Sequence, residues 1–190
     1  MTEARAIDRR PEIVLGLSCL FSYALHGWHY VERQQAANLL WFCHLGALAV
    51  GLGLILRSST PNAVGLLWLC IGTPCWLLDL FSGGEVVVGS VLTHVVGLAA
   101  GVFGLRRLGL PPGAWWKALA ALAAVYAVTR AVTPRAENVN LAFAVWPGWE
   151  TWFPSYVAYI AFLVSVAAAV FLAVCWAVRA SGFAPTVIER

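Results

Sequence analysis

Charged side chains are scarce in this sequence. They make up 11% of the 190 residues, whereas apolar residues make up 61%. Soluble domains carry about 25% charged residues, so this chain lacks the polar side chains that a water-facing surface needs. Basic runs interleaved with aromatic residues are also missing, and nucleic acid is therefore not an expected partner. Lipid is the expected solvent, and membrane lipids are the expected neighbours.

The sequence also lacks a CxxC pair and a signal-peptide cleavage site. Its five cysteines all lie in apolar stretches, namely Cys19, Cys43, Cys70, Cys75 and Cys175. Without closely spaced pairs they indicate neither a disulfide framework nor a zinc knuckle. The first apolar stretch follows Arg9 and Arg10, but no small-residue cleavage motif ends it. It is therefore interpreted as a retained helix.

Six stretches are apolar and long enough to be predicted as membrane-spanning helices, which need about 20 residues. Their predicted bounds are 13–30, 37–56, 62–81, 86–105, 115–133 and 156–178. Proline, glycine and serine punctuate the breaks. The predicted fold is an all-α, polytopic membrane protein, in which residues 1–190 form a single transmembrane domain built as a six-helix bundle.

Basic residues are distributed unequally between the two sides of this bundle. Nine fall on the amino-terminal side, namely Arg5, Arg9, Arg10, Arg57, Arg106, Arg107, Lys117, Arg179 and Arg190. Three fall on the opposite side, namely Arg33, Arg130 and Arg135. Lysine and arginine accumulate in cytoplasmic loops. Residues 1–12 and 179–190 are therefore predicted to be cytoplasmic, in a multi-pass protein of the cell membrane.

Five polar or ionisable side chains fall inside the predicted spans: His26, His29, His44, Asp79 and His94. Such residues are costly in lipid and indicate function. The predicted topology places all five in the extracytoplasmic half, and Asp79 is the one carboxylate within the predicted spans. This convergence predicts a site near the outer ends of the first four helices.

Short motifs in the second to sixth helices resemble the YwaF-type integral membrane proteins. The motifs are Leu39-Leu40-Trp41-Phe42-Cys43-His44-Leu45, Thr93-His94, Glu137-Asn138-Val139-Asn140, and Trp146-Pro147-Gly148-Trp149. That group is related to membrane lipid acyltransferases and androgen-induced fatty-acid-ester hydrolases. The resemblance spans roughly residues 37–178 and implies a helix-two nucleophile that works with a helix-four histidine. The family places a histidine two residues before its cysteine, where this chain has Trp41.

The first functional hypothesis is therefore a lipid acyl hydrolase or acyltransferase of lipid metabolism, without a cofactor. Cys43 would attack an acyl ester, and His94 would accept the thiol proton. Asp79 would orient a histidine, as the third member of a catalytic triad does. Asn138 and Asn140 would supply amide donors to the substrate, next to Trp146 in the same connection.

The second hypothesis is a haem- or metal-binding membrane protein. Imidazoles on neighbouring helices are typical ligands of transition metals and of haem iron. His26 and His29 are spaced i, i+3, while His44 and His94 lie at similar depth on two other helices. These four residues are the candidate ligands.

The third hypothesis is a non-catalytic subunit of a larger membrane complex, or a homo-oligomer. A small chain with ten tryptophans is also consistent with a purely packing role at the membrane interfaces.

Overall fold

The computed structural model describes residues 8–185, and within that range the chain is helical with no β-strand. Six α-helices account for most of it: α1 (Arg10–Glu32), α2 (Phe42–Leu56), α3 (Ser59–Phe81), α4 (Val88–Leu108), α5 (Ala114–Val132) and α6 (Tyr156–Ala180). Short 3-10 turns occupy Ala36–Leu40, Arg135–Glu137, Val139–Leu141 and Glu150–Trp152. The predicted all-helical fold is confirmed.

The helices run alternately up and down, so the bundle has two ends. We call the end where α1 begins the proximal end. There the Arg9 side chain donates to the Ile55 carbonyl at the end of α2, and the Leu110 amide donates to the Pro185 carbonyl. The opposite, distal end carries the Arg33–Glu85 ion pair. The predicted basic residues Arg5 and Arg190 lie outside the described residues.

Glycines set the close spacing of the central helices α1 to α4. A β-carbon on Gly65 of α3 would meet the carbonyl oxygen of Gly46 and come within 2.9 Å of the Val50 nitrogen, both on α2. A β-carbon on Gly16 of α1 would lie 2.9 Å from the carbonyl oxygen of Gly51. Small residues of this kind let helix backbones approach closely in lipid. The bundle core therefore depends on backbone contact as well as on interlocking side chains.

Three of the described helices are long and apolar enough to cross a membrane: α3, α4 and α6. The apolar helix α2 has 15 residues and is shorter than these. Large apolar side chains remain exposed on the bundle surface, as Phe81 (86%), Val157 (76%) and Trp176 (73%) show. A surface of this kind suits lipid rather than water, which agrees with a membrane location.

The first helix begins earlier than predicted, and this changes the account of its charged residues. Pro11 stands in its first turn, where the missing N–H costs nothing. Glu12 therefore lies inside α1 instead of in a cytoplasmic segment, and its side chain is fully buried. One of its carboxylate oxygens accepts a hydrogen bond from Arg107 of α4 at 3.2 Å. The predicted bounds of the first helix left this proximal carboxylate outside the bundle.

The second helix begins later than predicted, at Phe42 instead of residue 37. Trp41 is extended (φ −57°, ψ 136°) and separates α2 from the Ala36–Leu40 turn. The free amide of Phe42 donates to Oδ1 of Asn140, at 2.9 Å, and Nδ2 of Asn140 donates to the Leu40 carbonyl at 2.7 Å. A side chain from the α5–α6 connection thus caps α2.

Candidate functional site

Three histidines from three helices are buried together at the distal end. His26 of α1, His44 of α2 and His94 of α4 are 2%, 4% and 1% exposed. Gly89 permits the approach of α4, because a β-carbon there would lie 2.8 Å from the His26 α-carbon. The expected convergence of these residues is therefore present in the folded chain.

His26 and His44 are in direct ring contact. Their ring centroids lie 4.2 Å apart in an edge-on arrangement. Tyr30 stacks on His26 at 4.8 Å and lies 5.6 Å from His44. The half-buried His29 completes the group, with its ring 6.3 Å from His26. We call His26, His29, Tyr30 and His44 the imidazole cluster.

Backbone carbonyls fix the tautomers of two histidines. Nδ1 of His44 lies 2.9 Å from the Asn38 carbonyl oxygen, and Nδ1 of His94 lies 2.8 Å from that of Ser90. A carbonyl oxygen only accepts hydrogen bonds, so each Nδ1 carries a proton, and in the neutral ring the free lone pair is on Nε2. This arrangement is common to histidines that ligate metals and to those that act as bases.

Two buried imidazole nitrogens have no hydrogen-bond partner among the described residues: Nδ1 of His26 and Nε2 of His94. A buried polar atom without a partner costs about 1–3 kcal/mol, and such atoms in folded proteins require an explanation. The distal site therefore contains two imidazole nitrogens, inside the bundle, that are available to bind a ligand.

His94 lies against an aromatic wall instead of the predicted thiol. Its ring stacks on Trp76 of α3, with centroids 4.4 Å apart and planes 5° from parallel. In the described part of the chain no hydrogen bond joins His94 to Cys43, because Nδ1 is bonded to Ser90 and Nε2 has no partner. The expected hydrogen bond between thiol and imidazole is absent from this arrangement.

Cys43 nevertheless lies near the level of His94. Its β-carbon would be 2.8 Å from a β-carbon built on Gly72 of α3. One turn toward the proximal end, Ala47 of α2 is in contact with Gly97 of α4. Because α2 and α4 run in the same direction, residues about one turn before this contact on each helix share one level of the bundle. The Cys43 thiol and the His94 ring are thus neighbours in depth, although they are not bonded.

Asp79 is displaced from the histidines. It lies exposed at the distal end of α3, where its carboxylate occupies the space beside Gly84. The imidazoles of His44 and His94 use backbone carbonyls as their Nδ1 acceptors. The predicted orienting role for Asp79 therefore has no counterpart in the hydrogen bonds of the described residues.

The side-chain amides of the two predicted substrate-binding asparagines form hydrogen bonds within the protein. Oδ1 of Asn138 accepts from the amides of Phe143 and Ala144, both at 2.9 Å. The Asn140 side chain caps α2 as described and also donates to Oγ1 of Thr129 at 3.0 Å. Both residues have left-handed backbones, with φ of 44° and 55°, which asparagine tolerates well. The amide nitrogens of both side chains donate to acceptors within the protein, and their role toward a substrate stays a prediction.

Trp146, the third predicted substrate-binding residue, is half-buried in the connection between α5 and α6. Its carbonyl accepts from the Trp149 amide at 3.0 Å, and Trp149 stacks on Trp152. This places it in an aromatic turn at the distal end, away from the hydrogen bonds that fix the histidines.

Three residues of the site were not predicted from the sequence: Tyr30, Trp76 and Ser90. The spacing i, i+4 between Ser90 and His94 and between His26 and Tyr30 is a helical signal that was available in the sequence. The stack of Trp76 on His94 joins two different helices, and no local pattern predicts it.

One ion pair lies at the rim of the site. Arg33 and Glu85 form two hydrogen bonds of 2.5 and 2.9 Å and remain about half exposed. The hydrogen bond from Arg33 lowers the pKa of Glu85 below its ordinary value, and the same bond raises the pKa of Arg33. The pair joins the end of α1 to the α3–α4 connection.

As they stand, no three histidine, cysteine or acidic side chains of residues 8–185 could together hold a metal ion. Comparison of the chain with protein-family models, with curated proteins and with solved structures finds no match. The resemblance to YwaF-type proteins therefore stays a prediction. The chemistry of the site must be inferred from the residues themselves.

Proposed function

We propose that this chain is a multi-pass membrane protein whose imidazole cluster binds a transition-metal ion. All six helices would cross the cell membrane with both termini in the cytoplasm. The proposal rests on one observation: Nδ1 of His26 is buried without a partner, in contact with His44, whose own Nδ1–H is anchored to Asn38.

This arrangement supports metal binding for two reasons. Imidazole nitrogens are the usual protein ligands of zinc, copper, iron and nickel. A ligating histidine generally donates its second ring nitrogen to a carbonyl or carboxylate, as His44 does. His26 and His44 would supply the first two donors. His29, three residues from His26, would provide the third after rotation of its side chain, and water would complete the coordination.

We propose an ion in preference to a haem. The ring centroids of His26 and His44 lie 4.2 Å apart, so the two rings are in direct contact with no gap between them. Two histidines that ligate haem iron from opposite faces need a slot as wide as the macrocycle between them. The direct contact of these two rings supports the smaller ligand.

Metal titration of the purified protein tests the proposal. After chelation, the wild type should bind about one Co²⁺ or Zn²⁺ per chain, measured by visible absorption and by elemental analysis. His26→Ala and His44→Ala should each weaken binding at least tenfold, because each removes a ligand. His94→Ala serves as the matched histidine control and should bind as the wild type does. Equal binding by all three variants would refute the cluster as the site.

A second candidate function, lipid acyl hydrolysis or acyl transfer, is favoured by His94 itself. Its Nε2 is buried and has no partner among the described residues, and Cys43 lies at the same level of the bundle. An imidazole in this state can act as a general base. The thiol would reach it through a change of the Cys43 rotamer, which substrate binding would have to stabilise.

A lipid carrying a thiol-reactive ester mimic tests this candidate. Labelling should occur at Cys43 and should slow by about 10²- to 10⁴-fold in His94→Ala, which is the usual contribution of a general base. Cys19 and Cys175 are buried elsewhere and serve as internal controls. Labelling that ignores His94 would exclude the pairing. A protein that neither binds metal nor reacts would favour the packing-subunit hypothesis.

A further inference from the structure

A cavity of about 620 Å³ opens at the distal end between α1 and α5. Residues of the Ala36–Leu40 turn line it, and so does Val132 at the end of α5. Its volume lies within the 300–1,000 Å³ typical of ligand sites. None of the imidazole cluster lines it, so it is separate from the site proposed above.

The lining of the cavity includes both apolar and polar side chains. Leu39, Leu40 and Val132 contribute apolar surface to its lining, whereas Tyr23, Gln34 and Glu137 contribute polar groups. A lining with both kinds of side chain suits a lipid, whose chains and headgroup need different surroundings.

Glu137 supplies the only charge of this lining. Its Oε2 atom is buried and has no hydrogen-bond partner among the described residues. The nearby arginines are engaged elsewhere: Arg130 donates to the Ala142 carbonyl, and Arg135 lies over the Phe143 ring. A buried carboxylate oxygen without a partner is costly, and its charge favours a cationic hydrogen-bond donor.

We propose that this cavity binds a phospholipid whose headgroup carries a primary ammonium group. The ammonium would donate its three N–H bonds to Glu137, to the Tyr23 hydroxyl and to the Gln34 amide oxygen. The upper part of an acyl chain would lie along Leu39 and Leu40. A trimethylated headgroup has the same charge but no N–H donor, so the site distinguishes the two by hydrogen bonding.

Native mass spectrometry of the full chain in detergent tests the proposal. The probes are phosphatidylethanolamine, phosphatidylcholine and phosphatidylglycerol with identical acyl chains. We expect the wild type to bind phosphatidylethanolamine about tenfold more tightly than the other two, as a charge-assisted hydrogen bond implies. Glu137→Gln should abolish this preference. Glu150→Gln, at an exposed carboxylate of the same α5–α6 connection, should retain it.

Two further variants keep the test independent of any one substitution. Tyr23→Phe removes only a hydroxyl and should weaken phosphatidylethanolamine binding about threefold, whereas Ala37→Trp should block the cavity for all lipids. Ala161→Trp, on the exposed face of α6, is the size-matched control.

Three results would overturn the proposal: equal affinity of the wild type for ethanolamine and choline headgroups, unchanged preference in Glu137→Gln, or unchanged binding in Ala37→Trp. Metal titration is a separate measurement on the same variants, so failure of the lipid proposal is distinguishable from failure of the metal site.

Discussion

Asn140 is predicted to be the most sensitive polar residue of the distal end. Its side chain makes three hydrogen bonds, to the Phe42 amide, the Leu40 carbonyl and Oγ1 of Thr129. The residue is 5% exposed, and its backbone is left-handed (φ 55°). Asn140→Ala removes all three hydrogen bonds. It also places alanine at a position with a left-handed backbone, where alanine is strained.

The expected loss follows from these contacts. Each hydrogen bond contributes about 1 kcal/mol net, so three contribute about 3 kcal/mol. Alanine in the left-handed region costs roughly 1–2 kcal/mol more. The total is about 4–5 kcal/mol of unfolding free energy. Asn140→Gly relieves the backbone strain and should lose about 1 kcal/mol less, which separates the two contributions.

Equilibrium unfolding in mixed detergent and SDS micelles, followed by far-UV circular dichroism, measures this free energy. Ser165→Ala is the matched control. Ser165 lies exposed on α6, and its hydroxyl bonds only to the Ala161 carbonyl within the same helix. If the unfolding free energies of Asn140→Ala and Ser165→Ala agree within about 1 kcal/mol, the cap does not determine stability and the prediction is wrong.

Three further predictions concern the rim, the packing and the topology. The Arg33 hydrogen bond lowers the pKa of Glu85, so this pair stabilises the fold above the ordinary carboxyl pKa and the stabilisation is lost as pH falls through the lowered value. Thermal melting between pH 3 and 7 should therefore fall more steeply with acid in the wild type than in Glu85→Gln; parallel curves would contradict the linkage. Gly65→Ala should lower stability by about 2 kcal/mol or more, because its β-carbon would meet the Gly46 carbonyl and separate α2 from α3; wild-type stability would exclude this contact as a constraint. A reporter that is active only in the periplasm should be silent when fused to either terminus, and activity at either one would disprove the proposed orientation.

Local pattern was sufficient to predict the helices but not every boundary. The apolar runs and their proline and glycine breaks predict six helices, and each lies within a few residues of its predicted bounds. The start of α2 is the main exception. Its cap comes from Asn140, 98 residues beyond Phe42, and no window of sequence around Phe42 contains that information.

The candidate site was predictable to the same degree. Depth along alternating helices was enough to bring His26, His44 and His94 to one end of the bundle. The direction of each side chain was not predictable, because it depends on how the helices rotate about their axes. That rotation follows from glycine contacts such as Gly89 against His26, and it sets His94 on Trp76 instead of on Cys43.

The Ala36–Leu40 turn lies between the two proposed binding sites, the metal site on one side and the lipid cavity on the other. On one side the Asn38 carbonyl holds the His44 imidazole, and on the other Leu39 and Leu40 line the cavity. A displacement of this turn would change the binding free energy of both proposed ligands. Linkage then requires reciprocity: if an amine lipid changes the affinity of the histidines for a metal by some factor, the metal changes the affinity for that lipid by the same factor. If both ligands bind as proposed, these five residues would couple the lipid composition of one leaflet to the metal affinity of the bundle.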